Sequence, residues 1–178
     1  PALLSLSPTL RDLGSAVVAT SPPPSSFTVA NDGQQATGPL TLRLTGSGAS
    51  AFAINPGSSC QGASLGEGAS CTVEVVFTPS AAGAVTATLE VTGAPGGSAT
   101  AALSATGLTA GDLGISPPMQ SFGSIVTGQS SANHLFTITN LGGSPTGVPA
   151  VSLDGTDRAQ FPIVNDTCTS ALAAAATC

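Results

Sequence analysis

The chain has 178 residues, enough for one or two small domains that each bury a modest core. It contains no lysine, its only basic side chains are Arg11, Arg43 and Arg158, and its formal net charge is −6. Binding to a phosphate backbone needs clustered cations, so no nucleic-acid partner is expected. Mean hydropathy is +0.36, yet the longest wholly apolar run, Ala171 to Ala176, is far too short to cross a bilayer.

Taken in order, the first half of the chain is a series of short alternating runs separated by turn signals. Leu6-Ser7-Pro8 opens it, and Phe27-Thr28-Val29-Ala30-Asn31 follows. Leu40, Leu42 and Leu44 then alternate with Thr41 and Arg43, and Phe52-Ala53-Ile54 makes a short apolar step. Val73, Val75 and Phe77 alternate with Thr72, Glu74 and Val76. Val85, Ala87, Leu89 and Val91 alternate with Thr86, Thr88 and Glu90, and Ala101, Leu103 and Ala105 form a last inward set. A period of two is that of a strand with one face buried. Asn31-Asp32-Gly33, Asn55-Pro56-Gly57 and Ala94-Pro95-Gly96-Gly97 supply the reversals. About seven short strands in a hundred residues predict a Greek-key sandwich of immunoglobulin-like type, with a closed barrel as the alternative.

The pattern then repeats. Residues 6–54 align without a gap on residues 115–163, with about a third of positions identical. Leu6-Ser7-Pro8 matches Ile115-Ser116-Pro117, and Phe27-Thr28-Val29-Ala30-Asn31 matches Phe136-Thr137-Ile138-Thr139-Asn140. Phe52-Ala53-Ile54 matches Phe161-Pro162-Ile163. The expected organisation is a first domain over 1–107, a short linker over 108–112 that restricts bending and favours a rod, and a second domain over 113–178. The second copy lacks everything equivalent to Thr72–Gly107 and is expected to be incomplete at its C-terminal end. Its missing strands are expected either from a continuing parent chain or from a neighbouring subunit. Because the sequence opens on Pro1 without a signal peptide, it reads as a processed product or an excised piece.

Four cysteines fall into two pairs at the same place in each copy, Cys60 with Cys71 and Cys168 with Cys178. Local disulfides formed in an oxidising, extracellular compartment are the expectation. The competing reading is zinc, which the absence of a Cys-x-x-Cys pair and the presence of a single histidine disfavour. The Gly/Ser-rich loop between Cys60 and Cys71 is expected to depend on its crosslink, because its composition offers little burial.

These motifs together, Ser-Pro, Leu/Phe-Gly-Ser, Phe-Thr-Val/Ile-x-Asn, Leu-x-Gly, Phe-x-Ile and paired cysteines, resemble the Hydin-type (ASH) immunoglobulin-like repeats of bacterial extracellular proteins. Those repeats include the choice-of-anchor D domains and are related to the major sperm protein superfamily. The most specific stretch is Gly66 to Pro79, followed by Ala82-Gly83. The resemblance implies an immunoglobulin-like fold in a surface or scaffolding setting and carries no catalytic site with it.

No residue is expected to act in catalysis or hold a cofactor. His134 stands where the first copy has Ser25, and its expected place is a strand near a sheet edge. Asp154-Gly155-Thr156-Asp157 has oxygen ligands of the kind calcium uses, but a turn is the simpler reading, since Thr45-Gly46-Ser47-Gly48 has no acid. Asn165-Asp166-Thr167 is a glycosylation sequon, inert if the protein is bacterial. The functional expectation is a non-enzymatic structural or adhesive module of an exported bacterial surface protein, a spacer or fibre subunit. Its expected partners are other subunits or further repeats, with homo-oligomers included. The alternative is an accessory module recognising glycan or protein, which the absence of Tyr and Trp weakens for glycan.

Overall fold

Alternation of apolar and polar side chains becomes strand wherever a neighbouring strand is present to take up the backbone hydrogen bonds. The structure, a computed structural model describing residues 1–178, has ten strands, two single turns of 3-10 helix and no α-helix. It divides into two units, Pro1–Leu108 and Thr109–Cys178.

The first unit holds β1 (Leu4–Ser7), β2 (Leu10–Val17), β3 (Ser25–Asn31), β4 (Thr41–Thr45), β5 (Phe52–Ile54), β6 (Ser70–Phe77), β7 (Gly83–Gly93) and β8 (Gly97–Leu108). One sheet has the order β1-β3-β6-β5 and the other β2-β8-β7-β4. All pairings are antiparallel except that of β2 with β8. The chain therefore changes sheet at Pro8: β1 lies on β3, and β2 lies parallel to β8. Two separate four-stranded sheets with this crossing order form an immunoglobulin-like Greek-key sandwich rather than a closed barrel.

The inward faces of both sheets meet in one core. Phe27, Val29, Val73, Val75 and Phe77 come from the first sheet, and Leu89, Val91, Ala101 and Leu103 from the second. Each is at most 1% exposed. Burying a side chain of the Val, Leu or Phe class contributes about 1.5–3 kcal/mol, so this core is the main source of stability. The outward partners are polar: Arg43 faces Glu90 across the β4–β7 ladder.

The second unit has two strands, β9 (Leu113–Ser116) and β10 (Thr137–Asn140), paired antiparallel as β1 and β3 are. Residues 119–126, 150–154 and 161–163, which mirror β2, β4 and β5, are not strands. The pairing scheme of the first unit supplies the reason. There β2 is held by β8, β4 by β7 and β5 by β6. All three partners begin in or after the Ser70–Phe77 strand, whose equivalents the second copy barely reaches. Only β1 and β3 bond each other, and only their counterparts form. In the second unit, then, three segments with strand-like patterning lack a ladder. Leu108 closes β8, and residues 109–112 lie within the second unit, where Asp112 is bonded to Asn140.

Candidate functional site

Each unit is organised around one buried asparagine at the end of a strand. Asn31 is 0% exposed. Its Oδ1 accepts the backbone N–H groups of Leu3 and Gly33, and its Nδ2 donates to the carbonyls of Gln35, Leu65 and Gly66 at 2.7–3.1 Å. Asn140 repeats this: Oδ1 accepts from Asp112 and Gly142, and Nδ2 donates to Ser144, Leu172 and Ala173. One side chain so ties together the chain entry, the turn after the strand and the cysteine loop. The turn needs glycine two residues on, because a Cβ at Gly33 would fall on the Pro1 carbonyl oxygen and one at Gly142 on that of Ala110. The composition of Asn31-Asp32-Gly33 predicts a turn and nothing more. The signal in the sequence that marks the hub is the Asn-x-Gly spacing, identical in both copies and in step with the cysteines.

The disulfides join Cys60 to Cys71 and Cys168 to Cys178, with Cα atoms 5.2 and 5.1 Å apart. The first closes a loop that is better anchored than its composition suggests. Leu65 is buried, Leu65 N–H donates to Thr37 Oγ1, and Thr37 N–H donates back to Leu65 O. The expectation that burial could not hold this loop is corrected by Leu65 and Cys60, both inside the core. The second loop has the same reciprocal bonds between Leu172 and Thr146.

The second unit has an apolar concavity of about 970 Å³. Ile115, Phe122, Phe136, Ile138, Leu153 and Phe161 line it, all from segments whose counterparts contribute to the first unit's sandwich. Phe136 is 37% exposed where Phe27 is 1%, and Phe161 is 43% exposed where Phe52 is 5%. The rings of Phe122 and Phe161 lie 5.4 Å apart, and the His134 imidazole stands edge-on to Phe122 at 4.9 Å.

His134, Asp154 and Asp157 sit on the wall of this concavity. They do not form a metal site: no group of three His, Cys, Asp or Glu side chains is assembled anywhere in the chain. Asp154 accepts its neighbour Gly155's N–H, and Thr156 Oγ1 donates to Asp157 at 3.4 Å, the local bonding of a turn. Asn165 of the sequon lies exposed with a φ of 56°, and Asp166 accepts the N–H of Cys168. The arrangement can bury apolar groups and bond backbone; its titratable side chains are dispersed around the rim.

No family model matches the chain, and no curated protein matches it. Among solved structures it is similar to the ASH / PapD-like domain of human CEP192, at 16% identity and a TM-score of 0.42, covering 60% of this chain and 86% of that one. It is similar to the secreted serine protease VesC of Vibrio cholerae at 21% identity and a TM-score of 0.42, covering 76% of this chain and 34% of VesC. The class 5 fimbriae chaperone CfaA matches at 11% identity and a TM-score of 0.44, with 98% and 83% covered. The chain spans about a third of VesC's length. Likeness at this level says nothing of what this chain binds or does.

Proposed function

We propose that this chain is a non-enzymatic structural module of an exported bacterial protein, made of tandem copies of one disulfide-stapled domain, with Leu108 belonging to the first and residues 109–112 to the second. It extends or assembles a surface structure through contacts with other subunits or further repeats.

The observation that carries this reading is what the two copies have in common. The asparagine hub, the reciprocal Leu–Thr bonds and the disulfide are the same in both. The side chains capable of chemistry are not: Ser25 stands for His134, and Thr45 for Asp154. Repetition has kept the scaffold and let the reactive groups vary, as expected of a module selected for its frame. Disulfides in both copies suit an oxidising compartment. Sparse charge on Thr-, Ser- and Ala-rich faces suits packing between subunits, because few ions need desolvating at a contact.

Electron microscopy of the native protein from the source cell surface tests this reading. Filaments or ordered layers are expected for an assembly subunit, and dispersed particles attached to a larger protein for a spacer. Recovery from the cytosol with all four thiols free would contradict it, and saturable hits on a glycan array would favour an accessory recognition module instead.

A further inference from the structure

The chain contains two Asp-Gly steps, Asp32-Gly33 and Asp154-Gly155, and the fold engages them differently. In such a step the backbone can attack the side chain before it, because glycine has no Cβ to shield its amide nitrogen and is free in φ and ψ. At Asp154-Gly155 the reacting groups already touch. Gly155 N–H donates to Asp154 Oδ1 at 2.8 Å, its only hydrogen bond, and both residues are exposed. The turn that holds them is built the same way in the closed first unit. There Gly46 has a φ of 103° where Gly155 has 110°, and Ala49 N–H donates to Gly46 O as Arg158 N–H does to Gly155 O. Only the acid differs, since Thr45 stands in the place of Asp154.

At Asp32-Gly33 the nitrogen is already committed. Gly33 N–H donates at 3.0 Å to Oδ1 of the buried Asn31, and Asp32 N–H donates to the Leu3 carbonyl. The backbone of residues 1–3 lies so close that a Cβ on Gly33 would fall 2.3 Å from the Pro1 oxygen and 2.6 Å from the Leu3 nitrogen.

We propose that Asp154 is a site of spontaneous isomerisation to isoaspartate, and that the asparagine hub spares Asp32 the same reaction. In the first step the Gly155 nitrogen bonds to Cγ of the protonated Asp154 carboxyl. The nitrogen's proton and the carboxyl hydroxyl leave as water, and a cyclic imide remains. Water then opens the ring. Attack at Cγ restores aspartate. Attack at the Asp154 backbone carbonyl breaks its bond to nitrogen, reroutes the main chain through Cγ and frees the α-carboxylate. The water lost is regained, and no other reactant is consumed. The imide nitrogen carries no hydrogen, so ring closure at Gly155 gives up one exposed local bond. Closure at Gly33 would instead strip a buried oxygen of its donor, a cost that slows the step by at least about tenfold. The product adds one methylene and a carboxylate to the turn, a mark that grows with the age of the molecule.

The test ages the full chain, disulfides intact, at neutral pH beside a sample kept unfolded in urea. Isoaspartate is located by peptide mapping with a protease that cuts at aspartate and not at isoaspartate. It is counted by methyl transfer from S-adenosylmethionine with an isoaspartyl carboxyl methyltransferase. Each site's rate is read against its own rate in urea. Folded Asp154 is expected to convert as readily as in urea, and folded Asp32 at least about tenfold more slowly. Asp154→Glu keeps the carboxylate but needs a larger ring, and should abolish methyl acceptance by the folded chain. Absence of isoaspartate at residue 154 in the folded chain, while the urea sample forms it, would overturn the proposal. Equal conversion of Asp32 and Asp154 in the folded chain would overturn the protective role of the hub. Undiminished methyl acceptance by Asp154→Glu would place the reactive residue elsewhere and overturn the assignment.

Discussion

At the scale of single residues, Asn31 makes five hydrogen bonds from a fully buried position. Removing it leaves three carbonyls and two N–H groups without partners in and around a buried site. Each buried orphan costs about 1–3 kcal/mol, so Asn31→Ala is expected to destabilise the first unit by about 3 kcal/mol or more in a urea melt. Asn31→Asp keeps the shape but turns an anionic oxygen toward the carbonyls of Gln35, Leu65 and Gly66, and should be no better tolerated. A loss under about 0.5 kcal/mol for either variant would show that the hub is incidental, since that is the range of surface substitutions remote from such features. In the second unit, Ala175 adopts a φ of 61° where the first has Gly68 at 67°. Both donate their N–H to the carbonyl of the hub asparagine. Glycine meets this backbone without the Cβ clash, so Ala175→Gly should strengthen the loop by about 0.5–1 kcal/mol despite its unfolded-state entropy. Slower exchange at the Asn140 amide would register the gain, and faster exchange would contradict it.

At the scale of elements, the disulfide and the sandwich stabilise in different ways. Linking Cys60 to Cys71 closes a loop of sequence separation 11, worth about 3 kcal/mol of unfolded-chain entropy in the loop-closure treatment. The double substitution Cys60→Ser, Cys71→Ser is expected to lose about that much, less any compensation from the Leu65–Thr37 bonds, as read by thermal melting of the first unit. Core substitutions should separate the units sharply. Phe27→Ala removes a fully packed ring and is expected to cost about 3–5 kcal/mol, whereas Phe136→Ala removes one that is 37% exposed and should cost less than about 1 kcal/mol. Equal costs would mean that Phe136 is packed in solution. The same contrast explains what the sequence made legible. Alternation in Leu40–Leu44, Thr72–Phe77 and Val85–Val91 named strands that exist, because each has a partner close enough to pair. Patterning over 150–154 is just as strand-like in Val151 and Leu153, yet no strand forms there, since pairing is a property of two segments and periodicity describes one. The hub escaped for a related reason. A short asparagine beside glycine has the composition of a turn, and its long-range bonds to residues over thirty positions away leave no local trace.

At the scale of the whole molecule, the two units differ in how far corresponding apolar side chains are covered: Phe27 is 1% exposed and Phe136 37%. Native-state hydrogen exchange on the chain as it stands measures this difference most directly, because protection reports the local opening free energy of each segment. The amides of β3, β6 and β7 should exchange only through global unfolding of the first unit. Those of residues 134–136 and 150–154, which lie outside any strand, should exchange at close to unstructured rates. Comparable protection of residues 134–136 and of their counterparts in β3 would contradict this difference between the units.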